Sequence, residues 1–409
     1  SGTNRFTGTA YAYFNNQDFY GKGPAGNKLS TQNTQIYGAS IGGAIVKDKL
    51  FFFVNGEYNG ERSPSSYYVG YNGCNLSEED AVAIARRYEQ LTGYDGGGYG
   101  RRLIGRRSGS LMARLDWNIN SRHNLTLRYN FLDATKDEFS NTATTFNFNG
   151  TGYASVSSTH SIVAELNSRA SQKVFNQLRV GYTNVYDGRD TDCELPMVQI
   201  TKMRDGENTS VSIGTDAFAG ANSLRQHSVI VTDNLSIYAG NHTITLGTHN
   251  EIFTADNLFV ANIFGAYTYN TLDDFLTDNA RKYVRNYPIV DDGHVRYTTA
   301  QFGLYVQDEW RTDNFSLTYG LRADMPVVFG RPMTNEAFNG SEIAQKYGVA
   351  TGVKPRTSVH LSPRIGFRWD AIERDDYSMV LRGGVGLFTG KIPFVWITNC
   401  YSNTGMTQR

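Results

Sequence analysis

Residues 111–131 read LMARLDWNINSRHNLTLRYNF, and this stretch decides the fold. Leu111, Ala113, Leu115 and Trp117 share one parity, while Met112, Arg114, Asp116 and Asn118 share the other. A period of two with unlike halves marks a β-strand with one apolar and one polar face. After the turn residues NSRHN the pattern resumes: Leu125, Leu127, Tyr129 and Phe131 alternate with Thr126, Arg128 and Asn130. The two runs make an antiparallel hairpin.

The same alternation recurs outward from this hairpin. Phe315, Leu317, Tyr319 and Leu321 oppose Ser316, Thr318, Arg322 and Asp324. Ile365, Phe367, Trp369, Met379, Leu381 and Val385 oppose Arg364, Arg368, Asp370 and Arg382. In all, the alternation predicts about thirteen strands, near 5–14, 34–46, 49–59, 109–119, 123–132, 155–170, 174–186, 226–238, 243–255, 298–311, 314–328, 362–371 and 377–389. Short connections (KDK, NSRHN, SQK, AGNH, RTDN, AIERDD) alternate strictly with long ones. In a meander, this puts every tight turn at one end and every long loop at the other. Short periplasmic turns and long extracellular loops are the arrangement of a transmembrane β-barrel. The fold class is therefore all-β, an antiparallel transmembrane meander. Two residues depart from the pattern. Asp308 falls on the apolar parity near Trp310, where an interfacial position is expected. Asp233 also falls there, and a bulge that resets the parity is expected.

Composition agrees. The 409 residues carry no net charge, which argues against a nucleic-acid binder. The 26 Tyr and 23 Phe against 9 Pro suit a strand-rich wall with aromatic belts. No run approaches the roughly 18 apolar residues of a membrane helix, which leaves a strand-built crossing untouched. The opening SGTNRFTGTAYAYF is already strand-like, with no charged start and apolar core, so the N-terminus reads as internal to a longer protein.

These residues resemble a family. SGTNRFTGTAYAYF resembles the stretch that follows the plug in TonB-dependent outer-membrane receptors, and GGAIVKDKLFFFVNGEY (42–58) resembles the second and third barrel strands of their Oar-like subgroup. LYVQDEW (304–310), LTYGLRADMP (317–326), LSPRIGFRWD (361–370) and LRGGVGLFTGKIPFVWITNCYSNTG (381–405) match barrel elements in order. The resemblance implies a barrel of about 22 strands around a plug. Residues 1–409 would be the N-terminal part of that barrel, about thirteen strands, with the plug and remaining strands outside the chain. It also implies energised uptake of a ligand through extracellular loops and a plugged lumen. The partners implied are the TonB–ExbB–ExbD complex through the plug, outer-membrane lipid and lipopolysaccharide, and an integral outer-membrane location. The rival reading is a non-transport surface protein, an adhesin or a structural subunit beside a surface lipoprotein or envelope complex.

No enzyme is expected, and no cofactor or metal. GASIG (38–42) matches a nucleophile elbow formally, but Ser40 lies inside a continuous strand rather than at a strand–turn–helix. GLFTGK (386–391) has three residues between its glycines where a phosphate loop needs four. His249 and Glu251 share the lumen parity and read as barrel lining. Asp187, Asp190 and Asp192 match no calcium-loop spacing and read as turn residues.

Several residues carry binding expectations. SEEDAVAIARRYEQLTG (77–93) reads as a helix: Ser77 and Asp80 cap it, Gly93 ends it, and Val82, Ala85 and Tyr88 line its buried stripe. It serves as a lid, a ligand surface or a loop brace. Arg101, Arg102, Arg106 and Arg107 follow, placed to meet lipopolysaccharide phosphates or to be merely solvated. Arg128, Arg179, Arg322, Arg364 and Arg382 make the lumen lining cationic, facing plug acids or an anionic ligand. Cys74 and Cys193 are the expected disulfide, in an oxidising setting that leaves Cys400 over. In the triplet Phe51–Phe53, Phe52 shares the lipid parity with Leu50 and Val54. Phe51 and Phe53 face the lumen, where a plug would bury them and where they should otherwise be exposed.

Overall fold

The computed structural model describes residues 3–23, 26–71, 73–204, 206–374 and 376–408. Thirteen strands form one antiparallel meander in chain order. They are β1 (Thr7–Asn16), β2 (Asn33–Val46), β3 (Leu50–Pro64), β4 (Leu103–Asn120) and β5 (His123–Glu138). Then come β6 (Tyr153–Arg169), β7 (Val174–Thr191), β8 (Asn222–Ala239) and β9 (His242–Phe259). The last are β10 (His294–Arg311), β11 (Phe315–Phe329), β12 (His360–Glu373) and β13 (Ser378–Gly386). Every predicted strand forms. Several reach further at the long-loop end: β4 begins at Leu103 rather than 109, and β5 ends at Glu138 rather than 132. The alternation weakens there because both faces leave the apolar band. The sheet is open: β1 pairs with β2 alone and β13 with β12 alone among the described residues.

Register carries the two faces across the whole sheet. Trp117 lies opposite both Leu50 and Leu125, and Leu115 opposite Phe52 and Leu127, so one face is apolar through β3, β4 and β5. The same face continues through Leu304, Val306, Leu321 and Ile365, each at least 44% exposed. A water-soluble monomer rarely shows an apolar patch beyond a few hundred square ångströms. A face this large belongs against hydrocarbon. We call it outer and the polar face inner.

Asp308 is on the outer face, two residues before Trp310 near the tight-turn end of β10. It accepts hydrogen bonds from the Tyr319 hydroxyl and His242 Nδ1, each 2.7 Å. Asp233 is not at a bulge: register is continuous through Leu178, Asp233 and Thr248. It stays on the outer face and accepts from Asn176 Nδ2 at 2.7 Å. The expected parity reset is therefore corrected: an amide neighbour satisfies the carboxylate in place.

The Phe triplet keeps its predicted register. The Phe6 ring lies 5.9 Å from Phe52 on the outer face. Phe51 and Phe53 point inward, opposite Ala44 and Gly42. Their expected exposure does not hold for Phe51, which is only 9% exposed, and Phe53 is half-buried. The Phe53 ring lies against Gly42, where a Cβ would come within 3.0 Å of it.

Candidate functional site

Four of the long connections fold together above the strands. Helix α1 (Glu78–Thr92) begins where Ser77 accepts the Asp80 N–H at 3.1 Å, and three acids in its first turn suit the helix dipole. Gly93, left-handed at φ 79°, stops it. The buried stripe is Ala81, Ile84 and Tyr88, one position away from the predicted Val82–Ala85 line, with Ala85 packed at its edge. Residues from three later loops meet that stripe as a five-stranded mixed sheet, in the order 282–284, 266–269, 197–200, 210–213, 145–147. Leu76, Ala81, Ile84, Tyr88, Phe146, Phe148, Val198, Ile200, Val211, Ile213, Tyr269 and Phe275 form one buried cluster. The loops thus make a cap with a hydrophobic core of its own.

Polar ties lock the cap. Arg204 grips the buried Asp80 carboxylate through two nitrogens, at 2.7 and 3.1 Å. The Tyr88 hydroxyl donates to the Pro196 carbonyl at 2.8 Å, and burial pushes its pKa well up. Burial, with Asp278 alongside, pushes Tyr269 up to about 12. Gly96, Gly97 and Gly98 are all left-handed, and a Cβ on Gly97 would come within 2.9 Å of the Gly150 nitrogen. That close backbone approach requires glycine.

The predicted arginines separate. Arg102 turns into the cap, bound to Asp192 at 2.5 Å and to the Asn149 carbonyl, over the Phe139 ring. Arg101 stacks on Tyr68 at 4.6 Å. Arg106 pairs with Glu61 at 3.5 Å, and Arg107 points outward from the top of β4. The structure does not bring the four into one cluster. Nor do the three acids converge: Asp187 accepts from Ser157, Asp192 binds Arg102, and Asp190 lies on the outer face. The expected Cys74–Cys193 disulfide is corrected: both are free thiols. The Cys193 sulfur is engaged by Thr215 and the Gly150 carbonyl, and burial raises its pKa. Cys74 packs against the cap core instead.

On the inner wall a short motif repeats that the sequence reading passed over. Arg114–Asp116, Arg322–Asp324 and Arg368–Asp370 each place Arg and Asp two residues apart on one face. In each, Nε and Nη2 donate to the carboxylate, at 2.7–3.3 Å. The i,i+2 spacing within a strand was the available signal. Arg179 pairs with Glu165 on the next strand, at 2.7 and 2.9 Å. Arg364 lies 4.4 Å over Phe388. Arg128 and Arg382 stand directly opposite the neutralised Arg114 and Arg368, with no ion-pair partner among the described residues. Ser40 bonds Thr9 at 2.7 Å and His249 bonds Thr232 at 2.8 Å, both as wall lining.

Beyond β13 the chain turns over the inner face. Phe394 stacks on Phe253 at 3.7 Å, Lys391 reaches Glu251 at 2.6 Å, and the helix Phe394–Ser402 packs on Tyr297 and Val328. A cavity of about 400 Å³ lies beneath, lined by Glu251, Gln301, His360, Lys391 and Phe394 among others.

The family model described as "Outer membrane beta barrel domain" matches residues 1–71 and 100–409. The chain belongs to the outer membrane beta-barrel family. It is an integral outer-membrane protein, and the apolar outer face is its lipid contact. The stretch outside the match, residues 72–99, holds α1 and its flanks. Among solved structures, the fold is similar to the outer membrane transporter YddB from Escherichia coli, with a TM-score of 0.56 at 13% identity. It is also similar to the copper transporter OprC, with a TM-score of 0.51 at 10% identity. These alignments cover 91% and 94% of this chain but 42% and 45% of those proteins, so the chain spans less than half their length. No curated protein sequence matches it.

Proposed function

We propose that this chain is the barrel part of a TonB-dependent receptor of the Oar-like type, which captures a ligand at the cap and admits it through a plugged lumen. The observation that carries the reading is the cap: four loops from separate hairpins share one core and present a fixed surface at the extracellular end. The inner wall supports it. Its arginines are largely neutralised within the wall, which leaves Arg128 and Arg382, with Phe53, as contacts for a plug. Two proteins of similar fold are transporters, in line with an uptake role. The chain's open edges would be closed by further strands. TonB, driven by ExbB–ExbD, would act on the plug.

A second reading, an adhesin or envelope-assembly subunit, is favoured by the same self-contained cap, since a rigid platform also suits a protein partner. Site-specific cross-linking of the full-length protein to TonB in cells separates them. The receptor reading expects an adduct that is lost when the TonB box is deleted. An absent adduct overturns it in favour of the surface protein.

A further inference from the structure

The outer face carries a built polar depression that the receptor reading does not use. Tyr37 and Tyr58 stack on the lipid side, 6.3 Å apart. Just above them Arg62 faces Gly105 and Arg107 faces Gly60 across the β3–β4 pair. The Tyr58 ring lies over Gly60 and the Asp137 carboxylate beside Gly105, and a hollow of about 570 Å³ opens between them, lined by Gln35, Tyr58, Arg62, Arg107, Asp137 and Asp190 among others.

Height places this hollow at the membrane surface. Leu50, opposite Trp117, marks the lower aromatic belt. A strand rises about 3.3 Å per residue and tilts about 40°, so each residue climbs roughly 2.5 Å. Gly60 and Arg107 then stand about 25 Å above the belt, and Arg62 about 30 Å. The apolar band of such barrels is about 25 Å tall. The two guanidiniums sit where lipid head groups begin.

Their neighbours leave them free for a ligand. Other rim cations are engaged: Arg296 binds Asp256 at 2.8 Å, and Arg225 lies over Tyr186. Arg62 and Arg107 have no ion pair, hydrogen bond or ring contact among the described residues. Glu61 and Arg106, at the edge of the hollow, neutralise each other. Asp137 accepts the Gly105 N–H at 2.8 Å, which fixes its carboxylate in the wall, and Asp190 borders the far side. Paired guanidiniums bind phosphate oxygens through two-pronged contacts. Carboxylates beside them repel a simple polyanion but accept hydrogen bonds from hydroxyls.

We propose that this hollow binds the phosphorylated sugar head group of a membrane glycolipid, the lipopolysaccharide class: phosphate on Arg62 and Arg107, sugar hydroxyls on Asp137 and Asp190. Only Arg107 of the four arginines expected for this role takes part, and Arg62 joins it. The proposal stands whatever the lumen carries.

The test uses the full-length protein in detergent, checked for barrel folding by its heat-dependent gel shift. Native mass spectrometry follows exchange with lipid A, dephosphorylated lipid A, phosphatidylethanolamine or phosphatidylglycerol, each with and without excess inorganic phosphate. Wild type should retain one lipid A. Arg62→Gln/Arg107→Gln should lose that retention by about tenfold or more, as should removal of the lipid's phosphates. Arg106→Gln should retain lipid A as wild type does. Arg62→Lys/Arg107→Lys, which keeps the charge, should fall between. Equal retention by the double Gln variant overturns the proposal. So does equal retention of dephosphorylated lipid A, preference for either phospholipid, or full displacement by inorganic phosphate.

Discussion

Ile84→Ala tests whether the four loops are one folding unit. Ile84 is fully buried, 0% exposed, on the face of α1 that meets Phe146, Ile200 and Ile213 in the cap core. Three carbons are lost, at about 0.8 kcal/mol each, giving roughly 2.4 kcal/mol from transfer alone. The unfilled space adds to this, for a total of about 3–4 kcal/mol. At about 1.4 kcal/mol per tenfold, the cap should open some hundred-fold more often or higher. Hydrogen exchange by mass spectrometry on the full-length protein reads this directly. Amides of 78–92, 198–200, 211–213 and 267–269 should all lose protection by about two orders of magnitude together, while β8 and β9 keep theirs. A rise confined to α1, or no rise, would refute the shared core.

Three further outcomes follow from the cap and its flanks. Maleimide should label Cys400 first and Cys193 far more slowly, because Cys400 is exposed while burial raises the Cys193 thiol's pKa; alkylation after denaturation without reductant should count three free thiols. The cap should loosen at high pH. Tyr269 and Tyr88 ionise above their ordinary value near 10, so their contribution is intact below pH 10 and drains as pH rises through about 12 and beyond. Tyr88→Phe should soften that alkaline loss, measured by near-ultraviolet circular dichroism, and a loss beginning below pH 10 would count against the assignment. Gly97→Ala forces a side chain into a left-handed position at φ 74° against the Gly150 backbone. It should destabilise the cap by at least about 1–2 kcal/mol, seen as faster proteolysis between 93 and 100.

The wall was legible and the cap was not, for one physical reason. A strand of ten or more residues repeats its alternation often enough to be counted, and β4 with β5 needed nothing beyond Leu111–Phe131. The cap strands are 3–4 residues long, and two of the cap pairings are parallel contacts between distant loops. No local period exists in such pieces, and the partners lie up to about seventy residues apart. Helix α1 was readable from its caps, Ser77 and Gly93. Its buried face was misjudged by one position because Val82 and Ile84 are equally apolar, and only the cap sheet decides between them. The sequence places Arg102 at lipopolysaccharide or in solvent and not in the cap, because its partners Asp192 and Asn149 come from loops that sequence order keeps apart.

The central claim is an outer-membrane wall with its turns on one side and its cap on the other. Single cysteines decide it in intact cells, in a full-length protein whose native cysteines are replaced by serine: Thr92→Cys at the cap and Lys47→Cys at the β2–β3 turn. A membrane-impermeant maleimide should label the Thr92 variant on intact cells and the Lys47 variant only after the outer membrane is permeabilised. Labelling of Lys47→Cys on intact cells, or protection of Thr92→Cys, would contradict the account.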